Sequence, residues 1–167
     1  NVSPFLDQLA EQGTQFLNAF ISWPFTPRSH ASMLTSYYPA VFDIPLDPNI
    51  QTIGSVFSDY KYKTAAFTEG GWMSASYGVL NGFQEYDDKV QGVSQLKNKV
   101  KKWLKKNQNK RFILFLHTYC VHRPFVAPPQ QFKKFADPNY SGPIKNNSKS
   151  TNAFIKAANA GRISVSP

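Results

Sequence analysis

Two short stretches of this chain concentrate side chains able to bind or transfer an anionic group. The first is "TPRSH", where Thr26, Arg28, Ser29 and His30 place two hydroxyls, a guanidinium and an imidazole around Pro27. The second is "HTYCVH", with His117 and His122 at its two ends and Cys120 between them. Thr26-Pro27 reads as a helix start, threonine as N-cap and proline at the first helical position. Free backbone N–H groups and the positive end of the helix dipole converge at such a point and attract anions. A sulfate or phosphate group held there would meet a hydroxyl nucleophile and several charge-stabilising donors together. A purely local reading competes with this one, since Thr-Pro also opens helices for capping alone. His117 can equally be a strand-end histidine.

Both clusters need elements to position them. Ser3-Pro4 signals a helix start, Leu6, Leu9 and Ala10 follow at helical spacing, and Gly13 suits the stop. "TQFLNAFIS" (14–22) reads as a strand leading into the Thr26 segment. Ile50, Ile53, Val56 and Phe57 predict a second amphipathic helix, with a strand after it at "KTAAFT" (63–68). The Gly-rich, aromatic stretch 69–88 reads as a long surface loop bordering a site. "RFILFLHT" (111–118) is a continuous apolar run and reads as a buried strand. The prolines of 119–132 predict irregular chain, and beyond Asp137 the sequence is polar and weakly patterned. Helices alternating with apolar strands give an α/β class with a mainly parallel sheet, in one domain. Ligands in such sheets sit beyond the carboxyl ends of the strands, and both polar clusters follow predicted strands.

Charge excludes little once it is located. The net charge is +9, and Lys97, Lys99, Lys101, Lys102, Lys105, Lys106, Lys110 and Arg111 carry most of it, with no acid between them. Val93, Leu96, Val100, Trp103 and Leu104 fall on one face of the same segment, so the lysines read as the solvated back of a helix. A nucleic acid or other anionic surface is the alternative partner for that helix, although no nucleic-acid motif accompanies it. No apolar run approaches the ~20 residues of a membrane span. The single Cys120 rules out an internal disulfide. N-x-S sequons stand at Asn1, Asn139 and Asn146.

Five blocks in order resemble the sulfatase family, within the alkaline-phosphatase superfamily. In "SPFLDQLAEQGTQFLNAF" the matching residues are Asp7, Leu9, Ala10, Gly13, Phe16, Asn18 and Ala19. "TPRSHASMLTSYYP" is similar to the family's nucleophile helix, and 63–88, "FILFLHTYCVHRPFVAPP" and "FADPNYSGPI" resemble three later blocks. The resemblance implies an alkaline-phosphatase-like three-layer sandwich, incomplete in this chain. The family's metal-ligand strand would precede residue 1 and its C-terminal part would follow residue 167. It also implies a metal-dependent hydrolase of sulfate esters or related phosphate-type esters of small molecules or glycans. A catalytically degenerate binding protein is the alternative. Thr26 would be nucleophile and metal ligand, and no formylglycine is expected, because threonine replaces the family's Cys or Ser. His30 stands at the family arginine and His122 at the last residue of Asp-Pro-His, so both are expected to be catalytic. Arg28 and His117 are expected to contact substrate. Ca²⁺ or Mg²⁺ is the implied metal, with Mn²⁺ or Zn²⁺ open. Asp87 and Asp88 match no family ligand, and "EGGWMS" lacks the family's Lys-x-His anion-binding groups. Family habit favours an exported, periplasmic or lysosomal-type compartment.

Overall fold

The computed structural model describes residues 3–163, so the Asn1 sequon lies outside it. Six helices are α1 (Pro4–Gln12), α2 (Thr26–Thr35), α3 (Ile53–Asp59), α4 (Gly92–Asn107), α5 (Pro129–Phe135) and α6 (Ser148–Asn159). Three strands are β1 (Lys63–Phe67), β2 (Glu85–Asp87) and β3 (Phe112–Leu116). They form one parallel sheet in the order β2-β1-β3, with Ala65 opposite Glu85 on one side and Leu114 on the other.

Strand alternation sorts the core into two layers around that sheet. Ala66, Ile113 and Phe115 face Ala31 and Leu34 of α2. Ala65, Phe67 and Leu114 face Leu96 and Trp103 of α4. The sheet is thus sandwiched between helices, the three-layer α/β arrangement expected from the sequence. The amphipathic reading of α4 holds for Leu96, Val100, Trp103 and Leu104, whereas Val93 in its first turn is exposed. Most of its lysines point to solvent, and Lys99 pairs with Asp87 at the end of β2.

Several expectations are corrected. Residues 14–22 form no strand; they are exposed throughout, Phe20 to 93%. Their composition suits a half-buried ladder, but a strand exists only by pairing, and no described sheet edge pairs with them. Residues 69–88 are not a surface loop. Met73, Val79, Leu80 and Phe83 are buried in the core under α2 and α3; Met73 closes the first of two 3₁₀ turns, Gly71–Met73 and Ala75–Tyr77, and the other three follow the second in irregular chain. The approach is close: a Cβ on Gly54 of α3 would lie 2.4 Å from the Phe83 ring. β3 is an edge strand, with Phe112 and Leu116 exposed, because β1 takes the central place and buries four of its five residues. The proline-rich stretch contains α5, which Pro129 starts from a position where the missing N–H costs nothing. The polar tail contains α6, capped by Asn147, whose side chain accepts from Ser150 N. Asn146, of a second sequon, is tied up in the fold: its amide bonds both the N–H and the carbonyl of Ala127, at 2.9 and 2.8 Å.

Thr52 ties α3 to the 69–88 segment. Its hydroxyl accepts from Ser55 N, Ser55 Oγ accepts from Thr52 N, and the same threonine hydroxyl donates to the Asn81 carbonyl. The residue is 1% exposed. Thr52→Ala removes a cap and leaves a part-buried carbonyl unpaired, and is expected to cost about 2 kcal/mol. The denaturant midpoint should fall accordingly, with the slope of the transition unchanged.

Candidate active site

The carboxyl edge of the sheet collects three chain segments: the start of α2, the residues after β1, and the residues after β3. α2 begins one residue earlier than its sequence suggests. Ser29 N bonds the Phe25 carbonyl at 3.0 Å, and Phe25 has extended backbone, so Phe25 is the N-cap and Thr26 is the first helical residue. Thr26 is half-buried beside the fully buried Pro27.

The polar groups of that first turn divide between scaffold and site. Arg28 Nη1 donates to the carbonyls of Pro39 and Phe42, at 2.6 and 3.0 Å, and Nη2 lies 3.5 Å from Asp43. Its guanidinium thus secures the chain that returns after α2, and Nη1 has no proton left for the substrate contact expected of Arg28. His30 Nδ1 lies 2.8 Å from the Thr26 carbonyl. A carbonyl only accepts, so Nδ1 carries the proton and Nε2 is the nitrogen left for another partner.

His30 meets the second cluster directly. Its ring centroid is 5.3 Å from that of His117, at 79°. His117 packs on Tyr119 at 4.7 Å, and Tyr119 on His122 at 5.5 Å. All three histidines of the chain therefore lie along one run of edge-to-face rings. His117 Nδ1 is buried without a hydrogen-bond partner among the described residues. Burial, then the neighbouring His30, lowers its pKa from 6.5; Glu69 opposes the shift and His122 adds to it. His122 is exposed, with Nδ1 2.9 Å from the Arg123 carbonyl.

Glu69, which the sequence did not single out, locks the two post-strand segments together. Its carboxylate accepts from Thr118 Oγ1 at 2.7 Å and from Tyr119 N at 3.1 Å. The Tyr119 hydroxyl accepts from Trp72 N at 3.2 Å and donates to the Gly70 carbonyl at 3.3 Å. Burial raises the pKa of that phenol, so it stays a donor. Glu69 follows β1 as His117 follows β3, and that placement alone would have flagged it.

The description of the Sulfatase family matches residues 1–161. The chain belongs to the sulfatase family. No curated protein matches it. A solved structure of Ps i-CgsB in complex with k-i-k-neocarrahexaose is similar in fold, with a TM-score of 0.59 at 17% identity. The similarity covers 96% of this chain and 50% of that one, so the chain spans half the length of that protein. The alkaline-phosphatase-like class and the incomplete sheet agree with this sulfatase fold.

The donor set does not fit the divalent metal that sulfatase membership implies. Among the described residues, no three His, Cys, Asp or Glu side chains converge on one point. Asp88 Oδ2 accepts from Ala75 N at 2.8 Å. Asp87 is held by Lys99, whose hydrogen bond keeps its carboxyl below the usual range. Both acids serve the scaffold, and Cys120 is a free, exposed thiol. Among the described residues, no helix is long and apolar enough to cross a membrane.

Proposed function

We propose that this chain carries the anion-facing half of a hydrolase site for sulfate esters or related phosphate-type esters, with Thr26 in the nucleophile position. One observation carries the reading: the 5.3 Å contact of His30 with His117 joins the helix-start cluster to the strand-end cluster. In this scheme the Thr26 hydroxyl proton passes to His30 Nε2 as Oγ bonds to the sulfur or phosphorus and the bond to the leaving oxygen breaks. That proton returns to Oγ when water displaces the threonine, a water proton then restoring His122. The leaving oxygen takes a proton from His122, and water later cleaves the threonine ester. His30 and the helix start balance the negative charge of the transferring group. His117, packed edge-to-face on the His30 ring, contacts the same group when protonated, whereas Arg28 supports the site through the backbone it holds.

No step is assigned to a metal, because the described residues do not form a ligand set for one. Ca²⁺, Mg²⁺, Mn²⁺ or Zn²⁺ enters the proposal only with carboxylates supplied from elsewhere in the full-length protein. Glycan sulfates are the substrates this reading favours, given the ligand carried by the similar Ps i-CgsB structure. An exported, periplasmic or lysosomal-type compartment is the matching proposal for location.

That the described residues form no ligand set favours one other reading, a degenerate module that binds anions without hydrolysis. The full-length protein, assayed on a panel of sulfate and phosphate esters with each divalent metal, separates the two. Hydrolysis with calorimetric heat on metal addition is expected from the enzyme. Anion binding with neither turnover nor metal heat would identify the degenerate module and overturn the hydrolase.

A further inference from the structure

The residues that flank the histidine run have a chemistry of their own. Trp72 follows Glu69 and Gly70, and its backbone N–H is bonded to Tyr119 within the site. Its indole meets Phe25, the N-cap of α2, edge-to-face at 4.9 Å, and Tyr77 at 5.2 Å with a 45° tilt. Yet Trp72 stays 45% exposed and Phe25 41% exposed. Phe25 precedes Thr26 directly, so the exposed aromatic surface begins where the proposed nucleophile stands. Trp23 is different, since the Arg28 guanidinium lies 5.8 Å from its ring centroid. On the same loop, exposed Ser74 Oγ and Ser76 Oγ share a hydrogen bond of 2.7 Å.

We propose that Trp72, braced by Phe25, is a platform for a pyranose ring of a sulfated sugar and sets the site's preference for sugar over aryl esters. The proposal rests on the anion-site reading above. A pyranose ring has an apolar C–H face and a rim of hydroxyls. An indole face carries negative quadrupole charge that attracts polarised C–H groups. The Ser74–Ser76 pair offers hydroxyl partners on the loop that carries the indole, which a flat aryl ring would leave unused. The anionic substituent of a ring seated there reaches the start of α2, and the apolar face supplies the area that fixes its orientation.

The test measures binding by titration calorimetry to the full-length protein. The probes are monosulfated galactose, unsulfated galactose, nitrophenyl sulfate and inorganic sulfate, for the native protein, Trp72→Ala and Trp72→Phe. Trp72→Ala is expected to weaken the sulfated sugar on the order of tenfold, the scale of one stacked ring. Inorganic sulfate should be unaffected, and Trp72→Phe should recover most of the loss. Equal weakening of inorganic sulfate would mean that the indole only supports the loop, and would overturn the platform. Equal weakening of nitrophenyl sulfate would overturn the sugar preference. No binding of either sugar to the native protein would also overturn it. If sulfated and unsulfated galactose bind alike and both depend on Trp72, the platform stands and the anion-site reading fails.

Discussion

Thr26→Ala is expected to reduce ester turnover by roughly 10⁴-fold or more, the scale seen when a covalent nucleophile is deleted. The measurement is kcat/KM of the full-length protein, with divalent metal present, on the best ester of a panel. Structure makes the result interpretable. Thr26 is the first helical residue rather than the cap, Phe25 takes that place, and only the Thr26 carbonyl engages His30. Alanine keeps that carbonyl and suits the helix, so stability should change by less than about 0.5 kcal/mol. A large loss of turnover with an unchanged unfolding midpoint therefore reports the hydroxyl. Thr26→Ser retains an oxygen at the same carbon and should restore much of the rate. Turnover of Thr26→Ala within tenfold of the native protein would remove Thr26 from the mechanism and leave a water-attack route.

The parts of this fold that were legible in the sequence are those with a period. Strand β1 and helix α4 announce themselves because Ala65, Phe67, Leu96 and Trp103 recur at the spacing of the face they bury. The site was legible by type and place: His30, His117 and His122 follow an element boundary, and the fold brings them together. The buried segment 69–88 was not legible, because Met73 sits on a 3₁₀ turn and Val79, Leu80 and Phe83 in the irregular chain after it, with no constant spacing. Its burial depends on distant facts, such as the lack of a side chain at Gly54 where Phe83 approaches. The reverse error at 14–22 has the same origin, since apolar residues there have strand-like composition but no described strand to pair with. Helix α6 carries a faint signal within a polar stretch, an Asn147 cap ahead of Phe154 and Ile155. Arg28 shows the limit of reading residue type, because the same guanidinium serves an anion or two backbone carbonyls equally well.

Sulfate affinity is expected to rise as pH falls, by up to tenfold per pH unit for each proton taken up, and His117 is the group that makes it do so. In the free protein burial disfavours its charged form, and His30 and His122 repel it, with Glu69 only partly compensating. Its pKa therefore lies below 6.5 and the ring is neutral at neutral pH. A bound anion reverses that balance, since a negative charge beside the His30–His117 pair favours the imidazolium. Binding then draws in a proton above the lowered free-state pKa, and the pH dependence flattens below it. Folding carries the opposite sign. The unfolded chain protonates first, near 6.5, so stability present above that pH declines as pH falls, until the native ring also titrates. Calorimetry in buffers of different ionisation enthalpy counts the protons taken up. His117→Asn should bind sulfate with a shallower pH slope and lose the part of the acid destabilisation that comes from His117. An unchanged slope in that variant would take the proton uptake away from His117 and leave it as a packed strand-end residue.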